Sequence, residues 1–413
     1  MSGSQKHTPR RVYLDYAAAA PLQPPVCTAM RPYLEECIGN PNAIHREGQR
    51  LRHALTEATE QVARLMQIKP TGVIFTSGGT ESNNLAIRGY LQKQRATGTS
   101  LAGSTILTTT IEHPATSETL DALVSEYGVQ IKYIPLDETG YIDVQQFESL
   151  LDPSVILVTV SHINSEVGVI QPTQQLARRL RRFTTTNNIS MIPLHVDAAQ
   201  TPLWYTCLPA ALGADLLSLD AGKFGGPVGA GMLLATRADV MPHAILLGGG
   251  QQAGVRSGTE PVAQIVGCAT AFTWAQAGHE VRAEAVRAVR DAGIKMLQEN
   301  IPDCYLNGPV GERRVANNIN ISLPGLDTEY TAIVLDYAGF AVSTKSACSS
   351  SDSAASGVVA ALTTPERARS TLRITLGPET TESDLQRLTN VLAAHCEKMR
   401  EIQPLAGPVN GQV

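Results

Sequence analysis

Short apolar runs alternate with helical segments between residues 72 and 235, and most of these runs are continuous rather than alternating in polarity. A strand that is apolar on both faces must be covered on both, as in a parallel sheet with helices on either side. We predict strands at 72–77, 105–109, 129–134, 155–161, 191–196, 215–219 and 232–235. The pattern therefore predicts an α/β fold with a mostly parallel seven-stranded sheet, in which ligands bind at the carboxyl ends of the strands.

A different pattern follows residue 260. We predict one long helix over 261–299, followed by strands and helices in an α+β arrangement at 317–323, 328–337, 341–343, 371–376 and 382–400. The sequence thus predicts a large α/β domain over 12–260 and a smaller α+β domain over 261–402. We predict that the tails, 1–11 and 403–413, are disordered.

The charge and the cysteine content exclude several classes of protein. The 413 residues carry a net charge of -5 and a pI near 6.0, which disfavours a general nucleic-acid or membrane-surface binder. No apolar run reaches the roughly 18 residues of a membrane span, and the polar start lacks the apolar core of a signal peptide, so we expect a cytoplasmic protein. The seven cysteines are scattered without a C-x-x-C pair. Neither a disulfide framework nor a metal site is predicted.

Of the eight lysines, only Lys223 closes a predicted strand inside a glycine-rich turn, which spans residues 220–231. Residues without a Cβ let the backbone approach a bulky group, and an amine held at a strand end can form a Schiff base. For the turn taken alone, the alternative is a solvent-facing hairpin with an ordinary surface lysine.

Polar residues follow other predicted strands as well. Gly78, Gly79 and Thr80 place backbone N–H groups at a helix N-terminus, which is a site for phosphate. Asp197 ends another strand and is an acid suited to the ring nitrogen of an aldimine cofactor. An Asp at a strand end is as often a helix cap. Taken alone, His113 is typical of a helix start, and Arg373 of a surface strand.

In chain order, these motifs resemble those of the cysteine desulfurases, which are pyridoxal-phosphate enzymes of the class V aminotransferase group. The matching segments are 76–83, Glu112–His113, 164–168, 195–200, Lys223, 256–259, 346–348 and 372–377. The resemblance extends from about residue 13 to residue 400. It implies the large domain of pyridoxal-phosphate fold type I, with the smaller domain carrying a cysteine loop, and a homodimer.

The resemblance also implies a role for each matching residue. It assigns the cofactor to Gly79, Thr80, His113, Ser165, Asp197, Gln200, Asp220, Gly222, Lys223 and Thr259, the substrate to Asn164 and Arg373, and the chemistry to Lys223, His113 and Cys348. Lys223 would hold pyridoxal phosphate and later move the Cα proton, and Asp197 would pair with the pyridine nitrogen. His113 would stack on the ring and act as acid or base, and Gln200 would bind the ring hydroxyl.

The remaining implied roles concern the phosphate, the substrate and the sulfur. Gly79 and Thr80 would hold the phosphate, helped by Thr259 of the partner subunit. Arg373 would bind the substrate carboxylate as a bidentate fork. Cys348 would attack the sulfur of the bound substrate, release alanine and keep a persulfide. Small residues surround Cys348, and Lys345 could favour its thiolate. A passive loop thiol is the alternative for this cysteine.

Three positions depart from the family pattern. The family lysine usually follows a His, with a Ser two residues before that His, and these positions are Gly222 and Asp220 here. An ionised Asp220 would repel a phosphate by about 1 to 4 kcal/mol at contact distance unless it turns away or is protonated. A family Asn that contacts the ring is replaced by Ser165, whose hydroxyl reaches less far. We therefore expect weakened cofactor binding.

The sequence as a whole predicts a cysteine desulfurase, which converts L-cysteine to L-alanine and passes a persulfide sulfur to an acceptor protein. Iron–sulfur cluster assembly is one possible destination of that sulfur. Two alternatives stay open. One is a selenocysteine lyase or a cysteine-sulfinate desulfinase of the same fold, for which Cys348 matters less. The other is a catalytically weakened scaffold relative, which Asp220 and Gly222 would suit.

Overall fold

The computed structural model describes residues 10–344 and 355–402. The chain divides into two compact units. Of the described residues, the larger unit comprises 19–164 and 169–281, and the smaller unit comprises 10–18, 165–168, 282–344 and 355–402. Most of the two tails predicted to be disordered, residues 1–9 and 403–413, lie outside the described residues. Arg10 and Arg11 of the first tail lie within them.

The larger unit contains one seven-stranded sheet. After β1 (Val12–Tyr13), which belongs to the smaller unit, its strands are β2 (Val73–Thr76), β3 (Thr105–Thr108), β4 (Gln130–Tyr133), β5 (Val155–Ser161), β6 (Leu194–Asp197), β7 (Leu216–Asp220) and β8 (Gly231–Ala235). Their order across the sheet is β2-β8-β7-β6-β5-β3-β4. β8 is antiparallel to both of its neighbours, and the other pairs are parallel. The predicted α/β fold with a mostly parallel seven-stranded sheet is confirmed.

The larger unit also contains helices, which alternate with the strands along the chain. They are α1 (Pro24–Glu35), α2 (Arg46–Met66), α3 (Gly79–Asn84), α4 (Tyr90–Ala96), α5 (Pro114–Tyr127), α6 (Val144–Ser149), α7 (Thr173–Thr186), α8 (Pro209–Leu212) and α9 (Val262–Ala277). Successive residues of a strand point to opposite faces, and Leu157 and Val158 of β5 are both fully buried. On one face, Leu157 packs in a cluster with Leu91, Leu120 and Leu123. Adjacent apolar residues of β5 are therefore buried on both of its faces.

The smaller unit has two small sheets. Its further elements are α10 (His279–Asn300, mostly in this unit), β9 (Tyr305–Leu306), β10 (Asn318–Ser322), α11 (Thr328–Tyr337), β11 (Phe340–Ala341), α12 (Gly357–Leu362), α13 (Pro365–Arg369), β12 (Thr371–Thr375) and α14 (Glu382–Ile402). β12, β10 and β9 form an antiparallel sheet, and β1 pairs in parallel with β11. This is an α+β arrangement.

Two features of the chain differ from the sequence-based expectation. The single helix predicted over 261–299 is two helices, because Gly278 between α9 and α10 has a non-helical ψ of 12°. The first strand pairs with β11 and so belongs with the C-terminal part of the chain, while α9 packs against α1 and α2 of the larger unit. Among the described helices, none is long and apolar enough to span a membrane.

Candidate active site

The central strands β5, β6 and β7 run parallel and end at one edge of the larger sheet. Their register aligns Ser161 with Asp197 and Asp197 with Ser218. Lys223 closes the one-turn helix Ala221–Lys223, which directly follows β7. Since the carboxyl ends of neighbouring parallel strands share an edge, the structure brings the predicted Asp197 and Lys223 to the same edge of the sheet.

Two donors hold the Asp197 carboxylate in one orientation. The Asn83 side-chain amide donates to Oδ2 at 2.7 Å, and the Ala199 backbone N–H donates to Oδ1 at 3.0 Å. No helix begins at Asp197 in the described chain, so the alternative of a helix cap is not what the structure shows. Asn83 lies in the recognised segment 76–83, but its partner is 114 residues away. The motif therefore included Asn83, but the sequence did not indicate that Asn83 bonds to Asp197.

The turn around Lys223 is packed into the protein rather than projecting into solvent. Ala221 and Gly222 are buried, and Lys223 is half-buried. The Ala20 N–H donates to the Gly222 carbonyl at 2.8 Å. Phe224 is fully buried and lies edge-on to Phe272 of α9, with 5.7 Å between the ring centroids. A solvent-facing hairpin with an ordinary surface lysine is therefore wrong.

The turn between β2 and α3 needs a glycine within it and another in the neighbouring strand. Gly78 has φ +148°, which residues with a Cβ rarely adopt. A Cβ on Gly231 of the neighbouring strand β8 would lie 2.6 Å from the Gly78 Cα, so that strand also passes too close for a side chain. Gly79 and Thr80 then open a helical segment that continues to Ala96. Their N–H groups are at its first turn, where intrahelical acceptors are absent.

Asp220 contacts this turn directly. Its Oδ2 accepts from the Gly79 N–H at 3.0 Å, and its Oδ1 accepts from the Gly222 N–H at 3.0 Å. The carboxylate thus joins the two glycine turns that the family resemblance assigns to the cofactor. The expectation that Asp220 lies at the phosphate end of the site agrees with this position, and the side chain does not turn away from Gly79.

A second carboxylate anchors the same turn from the other side. Glu81 accepts from the Ser77 N–H at 2.7 Å and pairs with Arg256, whose Nε lies 2.8 Å from Glu81 Oε1. Burial, the largest single effect, raises the pKa of Glu81, but the hydrogen bonds from Arg256 and Ser77 and the charge of Arg256 together lower it. This ion pair fixes the segment 256–259 to the turn, with Thr259 and Thr80 both exposed.

His113 begins α5, as its position in the sequence suggested. It is the N-cap residue, and its Nδ1 accepts from the Ala115 N–H at 3.0 Å. In the neutral ring, the proton then lies on Nε2. Gln200 is half-buried in the turn after β6. Asn164 is buried, and its amide donates to the Ile111 carbonyl at 2.9 Å, so in the described chain it supports the loop that leads to His113.

Glu112 ties the same loop to the end of β5. Its Oε2 accepts from the backbone N–H and the hydroxyl of Ser161 at 2.8 and 2.6 Å, and its Oε1 accepts from the Thr109 hydroxyl at 2.5 Å. Burial raises the pKa of Glu112 to about 7, with the charge of Asp197 adding to it, although the hydrogen bonds from Ser161 and Thr109 act in the opposite direction. The carboxyl group therefore positions His113 and titrates near neutral pH.

In the smaller unit, Arg373 lies in the middle of β12 with only 2% of its side chain exposed. Its Nη2 pairs with Asp15 Oδ1 at 3.0 Å, and its Nη1 donates to the Ser165 carbonyl at 3.2 Å. The interpretation of Arg373 as a surface strand residue is wrong. Asp15 was not predicted as a site residue, because 358 residues separate it from its partner.

The same strand borders the segment that carries the predicted nucleophile. The Arg373 N–H donates to the Ser343 carbonyl at 2.6 Å, and the Ser343 N–H donates back to the Arg373 carbonyl at 3.0 Å. Cys348 and its neighbours from 345 to 354 lie outside the described residues, so the role of this cysteine stays a prediction. Ser165 is half-buried, and its described contact is made by its carbonyl group.

The larger unit fits most of a pyridoxal-phosphate cofactor. It offers an amine at the end of β7, a carboxylate fixed by two donors at the end of β6, and an imidazole at the start of α5. These groups suit the aldehyde, the ring nitrogen and the ring face, respectively. The N–H groups at the start of α3 suit a phosphate, but one of them, on Gly79, already bonds Asp220. The residues thus suit the ring of the cofactor, whereas at the phosphate position Asp220 already occupies one of the donors.

Comparison with known proteins matches nearly the whole chain to one family. Residues 12–388 match the family model Aminotransferase class-V. The cysteine desulfurase IscS of Dictyoglomus turgidum is 39% identical over 396 residues, which cover 96% of this chain and 97% of the relative. Cysteine desulfurase IscS 1 of Archaeoglobus fulgidus is 35% identical over 396 residues, with 95% and 99% covered.

Solved structures agree with these relatives. A NifS-like protein superposes with a TM-score of 0.84 at 29% identity, covering 94% of this chain and 100% of its own. The structure of SspA in complex with cysteine superposes with a TM-score of 0.73 at 28% identity, covering 89% and 99%. The chain therefore belongs to the class-V aminotransferase family, whose members in general use pyridoxal phosphate. Within that family it is a cysteine desulfurase, and the prediction from the motifs is confirmed.

Glu112→Gln should change how stability depends on pH. The native carboxyl group has a pKa of about 7 against 4.5 for the free group, so the native state binds a proton more tightly than the unfolded state. Wild type therefore loses stability as the pH rises from about 4.5 to 7, by up to about 3 kcal/mol. Glutamine has no such proton. The free energy of unfolding of the variant relative to wild type should rise across this window, as measured by urea unfolding at several pH values.

Glu118→Gln is the matched control, because Glu118 is an exposed glutamate on α5. It should not reproduce the pH-dependent difference. A difference between Glu112→Gln and wild type that stays constant across the window would contradict the coupling of Glu112 to folding.

Proposed function

We propose that this cysteine desulfurase holds pyridoxal phosphate on Lys223 and carries the sulfur removed from L-cysteine as a persulfide on Cys348. The observation that carries the proposal is the placement of Lys223 and an oriented Asp197 at the same edge of one parallel sheet. The persulfide sulfur then passes to a thiol-bearing acceptor protein. When bound, the cofactor supplies an electron sink for the electrons at the substrate Cα.

The residues of the larger unit then act on protons and on the ring. Asn83 and Ala199 direct the Asp197 carboxylate, which keeps the pyridine nitrogen protonated. Lys223 would hold the cofactor through its amine, and the same amine would move the Cα proton of the substrate. His113, whose Nδ1 is occupied by the Ala115 N–H, offers the Nε2–H as a donor. The hydrogen bonds of Glu112 fix the loop on which His113 lies.

Arg373 binds the substrate carboxylate in this proposal. Asp15 and the Ser165 carbonyl each take one N–H of the guanidinium, and Nε has no partner among the described residues. The two contacts hold the planar group in one orientation, which suits a bidentate anion. Asp15 therefore positions the arginine. The remaining N–H groups of the guanidinium are then available to the substrate carboxylate.

The transfer of sulfur from L-cysteine to Cys348 needs no outside oxidant. The Cys348 thiolate attacks the substrate Sγ, an S–S bond forms, and the Cβ–Sγ bond breaks. A proton replaces the sulfur at Cβ, and L-alanine leaves. Of the described cysteines, Cys207, Cys268 and Cys396 are buried, and burial raises the pKa of each thiol. These three thiols are poor sources of a thiolate and poor candidates for the nucleophile.

Lys223→Ala should abolish the borohydride-reducible link to pyridoxal phosphate and leave the fold intact, because a primary amine is required at that position. Absorbance of the cofactor, reduction and peptide mapping measure the link, and circular dichroism measures the fold. Lys69→Ala, at an exposed lysine of the same unit, is the control and should keep the link. Mapping of the cofactor to a lysine other than Lys223 would show the assignment to be wrong.

Cys348→Ser should keep the bound cofactor and reduce alanine formation from L-cysteine by about a hundredfold or more, because a hydroxyl is a far weaker nucleophile than a thiolate. Cys27→Ser, at an exposed cysteine, should retain the wild-type rate. Alanine formation at the wild-type rate in Cys348→Ser would instead favour the lyase or desulfinase alternative. A wild-type protein that binds the cofactor but forms no alanine would favour the scaffold alternative.

We also propose a homodimer in which the segment 248–259 reaches the site of the partner subunit. Several large apolar side chains of the larger unit are almost fully exposed, among them Val228 at 82%, Leu247 at 88% and Ile44 at 89%. Leu247 directly precedes the proposed segment, and such exposure is typical of an interaction surface when the residues cluster.

Dilution should then release the cofactor as the dimer dissociates, since assembly and cofactor binding stabilise each other. Light scattering combined with cofactor absorbance over a dilution series measures both. A monomeric protein that stays yellow and active would exclude this dimer.

A further inference from the structure

Asp220 already occupies part of the site that suits a phosphate. Its two carboxylate oxygens bond the Gly79 N–H and the Gly222 N–H, each at 3.0 Å. Gly79 opens the helical segment that follows β2, and Gly222 immediately precedes Lys223. One carboxylate of the chain therefore bridges the turn for the phosphate and the turn for the amine.

The carboxylate also lies close against the backbone of the phosphate turn. A Cβ placed on Gly79 would be 3.3 Å from both Cβ and Oδ2 of Asp220, and a Cβ on Gly78 would be 3.4 Å from Oδ2. Asp220 is half-buried and forms no ion pair within the described ranges. A phosphate at the Gly79 N–H would thus meet an anion that no cation of the described chain neutralises by direct contact.

We propose that Asp220 is a built-in competitor for the phosphate group of the cofactor. A backbone N–H offers one proton, so the carboxylate and a phosphate monoester exclude each other at Gly79. Asp220 must rotate away from Gly79 before the phosphate can take this donor, and its bond to Gly222 gives it a place to remain. The phosphate therefore contributes less to cofactor retention than in a chain with a neutral residue at 220. This inference rests on the proposed function, since it assumes that pyridoxal phosphate is the ligand.

The test compares two ligands that differ only in the phosphate. Cofactor-free full-length protein is titrated with pyridoxal phosphate and, separately, with pyridoxal, and aldimine absorbance gives each Kd. In Asp220→Ser, the affinity for pyridoxal phosphate should rise by roughly tenfold or more, because a repulsive charge is removed and a hydroxyl donor is added. The affinity for pyridoxal should change by less than about threefold, since it has no group to compete with Asp220.

Asp220→Asn is the second variant, because it removes the charge and keeps the oxygen that caps Gly222. It should also raise the ratio of the two affinities. Inorganic phosphate should inhibit pyridoxal phosphate binding at lower concentrations in both variants than in wild type. Asp143→Ser removes another carboxylate that accepts from two backbone N–H groups in the larger unit, and it should leave the ratio unchanged.

Equal changes for both ligands, or an unchanged ratio in both variants, would overturn the competition at Gly79 while leaving the proposed function intact. Failure of both ligands to form a reducible link at Lys223 in wild type would overturn the proposed function, and this inference with it.

Discussion

The register of β5, β6 and β7 determines which side chains meet at the edge of the sheet where the candidate site lies. His195 bonds Thr159 through Nδ1 at 2.8 Å and Ser218 through Nε2 at 2.9 Å, so one buried ring joins all three strands. Burial lowers the pKa of His195 to about 3, which keeps the ring neutral and able to donate at one nitrogen and accept at the other. A slip by one residue would break both bonds and turn Asp197 to the opposite face.

Much of the larger unit follows from local sequence. Continuous apolar runs predicted its strands because a strand buried on both faces needs no polar side. Glycines around Lys223 indicated a close-packed turn, and the structure places Gly222 in a buried turn of that kind. Asp197 and Lys223 could be assigned to one edge from chain order alone, since parallel strands present their carboxyl ends together.

The remaining features depend on pairs that are distant in the chain, and no local pattern contains them. The Asp15–Arg373 ion pair, the Asn83–Asp197 hydrogen bond and the Gly79–Asp220 hydrogen bond each join segments more than one hundred residues apart. The break at Gly278 was missed for another reason. Both flanking segments favour a helix, and a single glycine inside a helix costs only about 1 kcal/mol. The sequence therefore did not indicate that α9 ends there.

The close passage of Gly231 beside Gly78 has a consequence for how this site can diverge. A side chain at 231 would collide with backbone, so neither glycine can be replaced without rebuilding a strand and a turn together. Position 220 is less restricted, because its hydrogen bonds to both turns are made by the carboxylate at the tip of the side chain. Under the proposed competition at Gly79, a lineage can vary that one side chain over a constant backbone and so change how readily the cofactor leaves without changing the fold.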